Sequence, residues 1–203
     1  FGGCRNWDYR FCWIRDASMT VSTLRRIGHP RMATRFIDWM LRTVPTKDDN
    51  LQIMYGLRGE KVLTEETLDH LSGYLGSGPV RIGNAAYHQA QHDIYGILLD
   101  VVYQDIGERR RTPERLDQVW TRVRSVVKKV AESWREPDKG IWEIRGDEQH
   151  FVFSKVLCWV AIDRGIKIAR SLGKDVWADK QEPLRDEIHD TICREGWSDE
   201  AGA

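Results

Sequence analysis

Residues 116–134 carry one continuous apolar stripe at helical spacing: Leu116, Val119, Trp120, Val123, Val126, Val127, Val130 and Trp134. Residues three and four apart share a face of an α-helix, whereas a strand would throw half of these side chains into water. Thr112-Pro113-Glu114-Arg115 stands just before the stripe, a capping residue followed by proline at the first helical position. The same period recurs along the chain, and strand-type alternation is almost absent. It predicts helices over about 16–27, stopped by Gly28 and Pro30, over 31–44, ended before Pro45, and over 85–104. Two more are expected over about 151–172, ending at Gly173, and over 176–194, ending near Gly196. Residues 46–84 are punctuated by Gly and Pro and read as a long loop, with too much Tyr, Leu and Ile to be disordered.

Six helices joined by alternately short and long connections give an all-α domain of paired helices, either a small bundle or part of a larger helical toroid. The fifth helix is apolar around much of its girth (Phe151, Val152, Phe153, Val156, Leu157, Trp159, Val160, Ile162) and is expected to be buried on several sides. The inner layer of a double-layered ring meets that demand. A length of 203 residues suits one such domain.

Charge excludes several partners. The chain has 31 basic and 31 acidic residues, so nothing favours nucleic acid or an anionic membrane surface. No apolar run approaches the roughly 18 residues of a membrane span, and no secretory signal is read at the start. The chain begins at Phe1 inside a structured motif, which suggests a piece of something longer. Cys4, Cys12, Cys158 and Cys193 form no C-x-x-C pair and are expected to be reduced and mostly buried, fitting a cytoplasmic setting. Nine tryptophans suit a core, and also platforms on which sugar rings stack.

Four clusters are candidates for chemistry. Gly140-Ile141-Trp142-Glu143-Ile144-Arg145-Gly146 places an acid after an indole between two helical patterns. There Trp142 could desolvate Glu143, the condition that makes a carboxyl a proton donor near neutral pH; an exposed turn is the plainer reading. In Trp13-Ile14-Arg15-Asp16, Asp16 is either a helix cap or, with Arg15, a fixed donor and acceptor pair suited to a sugar hydroxyl. Residues 73–84, Gly-Tyr-Leu-Gly-Ser-Gly-Pro-Val-Arg-Ile-Gly-Asn, fit a close backbone approach to a polar ligand or a structural turn. They lack the Lys-Ser/Thr ending of a phosphate loop. His88 and His92 would share a helix face, yet no third ligand follows them, so neither a metal nor any cofactor is expected.

Read together, "RNWDYRFCWIRDA", "LQIMYGLRGE", "GYLGSGPVRIGN" and "GIWEIRG…HFVFSKVLCWVAIDRG" resemble the bacterial branch of glycoside hydrolase family 15. Four motifs in order over nearly the whole chain make the resemblance specific. It implies an (α/α)6 toroid of twelve helices and inverting hydrolysis of α-glucosidic bonds in glucoamylases, glucodextranases or trehalases. By the same resemblance Glu143 is the general acid and Arg15 and Asp16 grip the glucose. Arg81 lies near that pocket, and Trp142, together with Trp13, walls it.

The resemblance also sets limits. An inverting site needs a second carboxylate on the opposite face of the sugar, about 6.5–9.5 Å away. In the family that base comes from a later motif, and this chain ends at Trp197-Ser198-Asp199-Glu200-Ala201-Gly202-Ala203. The expectation is therefore about half of a toroid, a partial catalytic domain over 1–203 that carries the acid and lacks the base. Its ligand is an α-glucoside or oligosaccharide. The isolated chain is expected to be inactive and to self-associate through uncovered helices. A non-catalytic sugar-binding or structural helical domain is the alternative.

Overall fold

Three helices stand side by side and three pack behind them. The computed structural model describes residues 3–43, 51–108, 112–200 and 202. The helices are α1 Ile14–Arg26, α2 Pro30–Thr43, α3 Asp93–Glu108, α4 Pro113–Ser133, α5 Val152–Ser171 and α6 Asp175–Glu195. α1 touches α3 and α3 touches α5, while α2, α4 and α6 pack against α1, α5 and α5 respectively. This double layer is part of an (α/α)6 toroid, with α1, α3 and α5 on its inner side.

Sequence and structure agree on α1, α4, α5 and α6 to within two residues at each end. The Thr112 hydroxyl caps α4 by accepting from Arg115 N–H at 3.4 Å. The expected end of α2 at Val44 and Pro45 lies outside the described residues. The helix expected over 85–104 is divided. Ala85–His88 is a 3-10 turn and α3 begins only at Asp93. The intervening residues bond to other segments instead: Ala90 O accepts from Lys139 N–H at 2.9 Å, and His92 N–H donates to Asp138 Oδ2 at 2.7 Å. Tertiary partners for these two groups outweigh local helix propensity.

The core is one contiguous cluster, including Ile14, Ile37, Met40, Ile94, Leu99, Val123, Ile162, Ile166 and Ile188. α3 and α5 approach closely at Gly96, where a Cβ would fall 2.2 Å from Leu157 O. Trp120 of α4 meets Trp177 of α6 edge to face at 4.8 Å. Of the apolar residues expected to be buried along α5 only Ile162 is. Phe151, Val156, Leu157, Trp159 and Val160 are half-buried and Val152 and Phe153 exposed, burial falling instead on Cys158, Ala161, Gly165, Ile166, Ile168 and Ala169.

Two short antiparallel pairs lie in the connections, the first of them against the start of α1. β1 (Cys12–Trp13) pairs with β2 (Met54–Tyr55), Cys12 opposite Tyr55 and Trp13 opposite Met54. β3 (Glu66–Thr67) pairs with β4 (Arg81–Ile82). Each is only two residues long, too short for alternation to register in the sequence. The glycine-rich run serves the second pair. Gly83 has φ +71°, and a Cβ there would lie 1.8 Å from Thr64 O, so its close backbone approach is to this loop and not to a ligand.

The cysteines depart from expectation in one respect. All four are free, but only Cys158 is buried, with Cys12 half-buried and Cys4 and Cys193 exposed. Burial pushes the Cys158 thiol up to about 12.

Candidate active site

The N-terminal ends of the inner helices converge on one place. Arg15 and Asp16 stand in the first turn of α1, Asp93 opens α3, and Glu143 lies on the connection that leads into α5. β1 ends directly at α1, so Trp13 is pinned by its pairing with Met54 and by Ile14 N–H donating to Ile53 O at 2.9 Å. From there the Trp13 indole Nε1–H donates to Glu143 Oε1 at 2.6 Å.

Arg15 is 7% exposed and sits between carboxylates. Its Nη1 donates to Gln91 Oε1 at 2.8 Å and to Asp93 Oδ2 at 3.1 Å. Its Nη2 stands 3.6 Å from Glu143 Oε1 and its Nε 3.8 Å from Asp16 Oδ2. Asp93 is fully buried, and its Oδ1 has no hydrogen-bond partner among the described residues. Burial pushes its carboxyl above the usual range, against the pull of the Arg15 guanidinium. Gln91 and Asp93 thus hold Nη1 of the guanidinium, leaving Nη2 toward Glu143 and Nε toward Asp16.

Asp16 is not the helix cap. Trp13 occupies that position, and Asp16 is the third residue of α1 with its side chain 69% exposed. It lines a cavity of about 730 Å³ together with Trp13, Arg15 and Glu143. Tyr9, Phe11, Val21, Leu24, Phe36 and Leu57 form an apolar remainder of the wall. Cys12 also borders it, its thiol pushed up to about 11 by burial.

Glu143 has an unusual backbone. Its φ is +51°, the left-handed region that a residue with a Cβ enters only at a cost. Glu143 N–H donates to Gly140 O at 3.2 Å, closing a turn whose corners are Ile141 and Trp142. That turn directs Trp142 away from the site it is expected to wall. Trp142 is 82% exposed at the corner and does not cover Glu143, and it is absent from the cavity wall. The indole on the acid is that of Trp13, 130 residues away in sequence.

Arg81 does not line the cavity either. It donates from Nη1 to Asn6 O at 2.8 Å and lies over the Trp7 ring at 5.7 Å. Arg145 stands over the same ring at 5.6 Å, and Glu65 approaches both guanidinia at 3.5 Å. Arg81 therefore supports the segment that runs into Tyr9. Asp8 fastens that segment too, accepting from Gly83 N–H at 3.1 Å, and the hydrogen-bonded Arg10 guanidinium holds its carboxyl below the usual range. His88 and His92 do not share a helix face, because His88 ends the 3-10 turn and His92 precedes α3.

Residues 3–202 match the profile of the glycosyl hydrolases family 15. The chain belongs to glycosyl hydrolase family 15. Among curated relatives of this family 15 chain, the trehalase of Mycolicibacterium smegmatis is 43% identical over 197 residues, covering 96% of the chain and 29% of the relative. The trehalase of Mycobacterium tuberculosis is 44% identical, with 96% and 28% covered. That of Thermoplasma volcanium is 35% identical, with 97% and 31% covered. The chain thus spans about three-tenths of the length of these relatives. A glycosidase variant solved in complex with glucose shares the fold at a TM-score of 0.69 and 17% identity, over 94% of this chain and 49% of that one.

Proposed function

We propose that this chain supplies the acid side of an inverting α-glucosidase site, and that trehalose is the substrate. The observation that carries the reading is the carboxylate of Glu143, held by the Trp13 indole at 2.6 Å beside the Arg15 guanidinium at a cavity. Sugar hydroxyls both donate and accept, so Arg15 and the exposed carboxylate of Asp16 offer a complementary pair for one glucose. Glu143, protonated, gives its proton to the glycosidic oxygen as the bond to the anomeric carbon breaks. A second carboxylate, contributed from outside these 203 residues, activates water on the opposite face. The choice of trehalose rests on the relatives, which are trehalases.

On this reading the isolated chain binds glucose but does not hydrolyse glucosides, and its exposed inner-layer residues, Met19 and Phe153 among them, favour association. The test is glucose release from trehalose and maltose by the protein that carries this chain and by the 203-residue chain alone, beside calorimetric titration of the latter with glucose. Release by the former and binding without release by the latter are expected. No release from either sugar by the protein that carries the chain would overturn the glycosidase reading. Turnover by the chain alone would overturn the incomplete site.

A further inference from the structure

We propose that Asp138 is a positioning residue for Glu143. The inference rests on the reading of Glu143 as the proton donor. Asp138 is 1% exposed and lies five residues before Glu143, at the point where α4 gives way to the acid-bearing connection. Its Oδ2 accepts two hydrogen bonds of 2.7 Å each, one from His92 N–H just before α3 and one from the Ser154 hydroxyl in the first turn of α5. Its backbone forms a reciprocal pair with Gln149, both N–H to O distances being 2.9 Å. One residue therefore closes the base of the connection and pins it to two inner helices.

The rest of the connection is built on that base. Lys139 N–H donates to Ala90 O at 2.9 Å, its Nζ to Gly146 O at 2.6 Å, and its carbonyl accepts from Ile144 N–H at 3.3 Å. Gln89 Nε2 reaches Ile144 O at 3.4 Å. The consequence is geometric. Residues 89–93 hold the connection through Gln89, Ala90 and His92, and the same five residues hold Arg15 through Gln91 and Asp93. The proton donor and the glucose-gripping guanidinium are thus referenced to one short segment. Asp138 is the buried side chain that couples the acid to it. Asp138 does not touch the cavity, so it acts through Glu143.

A misplacement of about 1 Å can cost on the order of 100-fold in rate. Removing the carboxylate should therefore lower turnover while leaving the Arg15 clamp, and with it sugar binding, in place. The experiment compares Asp138→Ala, Asp138→Asn and Ser154→Ala with the parent, in the protein that carries this chain, on trehalose and on α-glucosyl fluoride. Fluoride leaves with little protonation, so its release reports on everything except the acid. Asp138→Ala is expected to lose at least about 10-fold in kcat on trehalose with KM within about threefold, and to lose far less on the fluoride. Asp138→Asn, which keeps an accepting oxygen, should recover most of the loss. If Asp138→Ala does not fold, Ser154→Ala removes one of the two donors and should show the same split in smaller measure. Unchanged kcat on trehalose, or equal losses on both substrates, would overturn the positioning role. A parent protein inactive on both substrates would instead overturn the glycosidase reading.

Discussion

The indole of Trp13 donates a 2.6 Å hydrogen bond to the carboxylate of Glu143 across 130 residues of sequence. Trp13 is itself fixed by strand pairing to Met54 and stands one peptide bond from α1. The acid is thus oriented by a rigid element of the opposite end of the chain. A misplacement of a reacting group by about 1 Å can cost on the order of 100-fold in rate. Trp13→Phe keeps an aromatic ring and deletes the donor, so kcat on trehalose should fall about 10–100-fold. Steady-state kinetics of the protein that carries this chain checks this, and a change of less than threefold would show that the bond does not orient the acid.

The backbone of Glu143 yields a second expectation. At φ +51°, a residue with a Cβ carries a left-handed penalty of about 1–2 kcal/mol that glycine escapes. Glu143→Gly and Glu143→Ala both lose the carboxylate and its contacts, so their difference isolates the backbone. Glu143→Gly should be the more stable of the two by about 1 kcal/mol in thermal or denaturant unfolding. Equal stability, or the reverse order found at ordinary positions, would show the turn to be relaxed.

His92 sets a pH dependence of stability. Burial lowers its pKa below the ordinary value near 6.5, with Asp138 and Glu148 opposing the shift and Lys155 and Lys129 adding to it. Its Nδ1 has no hydrogen-bond partner among the described residues, and its ring lies 6.1 Å from that of Tyr95. The unfolded chain therefore takes up this proton at higher pH than the folded one. Stability from the neutral ring is complete above about 6.5 and declines as pH falls from there toward the lower folded value. Unfolding midpoints of the parent and of His92→Phe, measured from pH 8 to 5, should differ by a constant amount above about 6.5 and change in favour of the variant below it. A difference independent of pH would mean that the ring titrates alike in both states. The depressed carboxyl of Asp8 acts in a more acid window and is common to both proteins.

The helices were legible in sequence because each buries one face, and the period of that face is a local property. The Thr112-Pro113 start of α4 shows it: cap, proline and stripe all lie within the helix they specify. The break at residues 89–92 was not legible, because its cause is Asp138 and Lys139, nearly fifty residues on. Glu143, Arg15 and Asp16 stand in motifs that the sequence displays, and the structure brings all three to one cavity. Trp142 follows from no local rule, because adjacency to Glu143 in sequence does not say which way a turn directs its corner residue. The clamp of Gln91 and Asp93 on Arg15 is not legible in the sequence. The helix expected over 85–104 puts Asp93 in mid-helix beside His92, and only the break before α3 turns it onto Arg15.

Whether Glu143 is the proton donor is tested most directly by Glu143→Gln in the protein that carries this chain, assayed on trehalose and on α-glucosyl fluoride. General acid catalysis contributes about 10²–10⁴-fold. The expected result is a loss of that size on trehalose, retained hydrolysis of the fluoride within about tenfold, and undiminished glucose binding. Parent-like turnover of trehalose, or equal collapse on both substrates, would contradict the assignment.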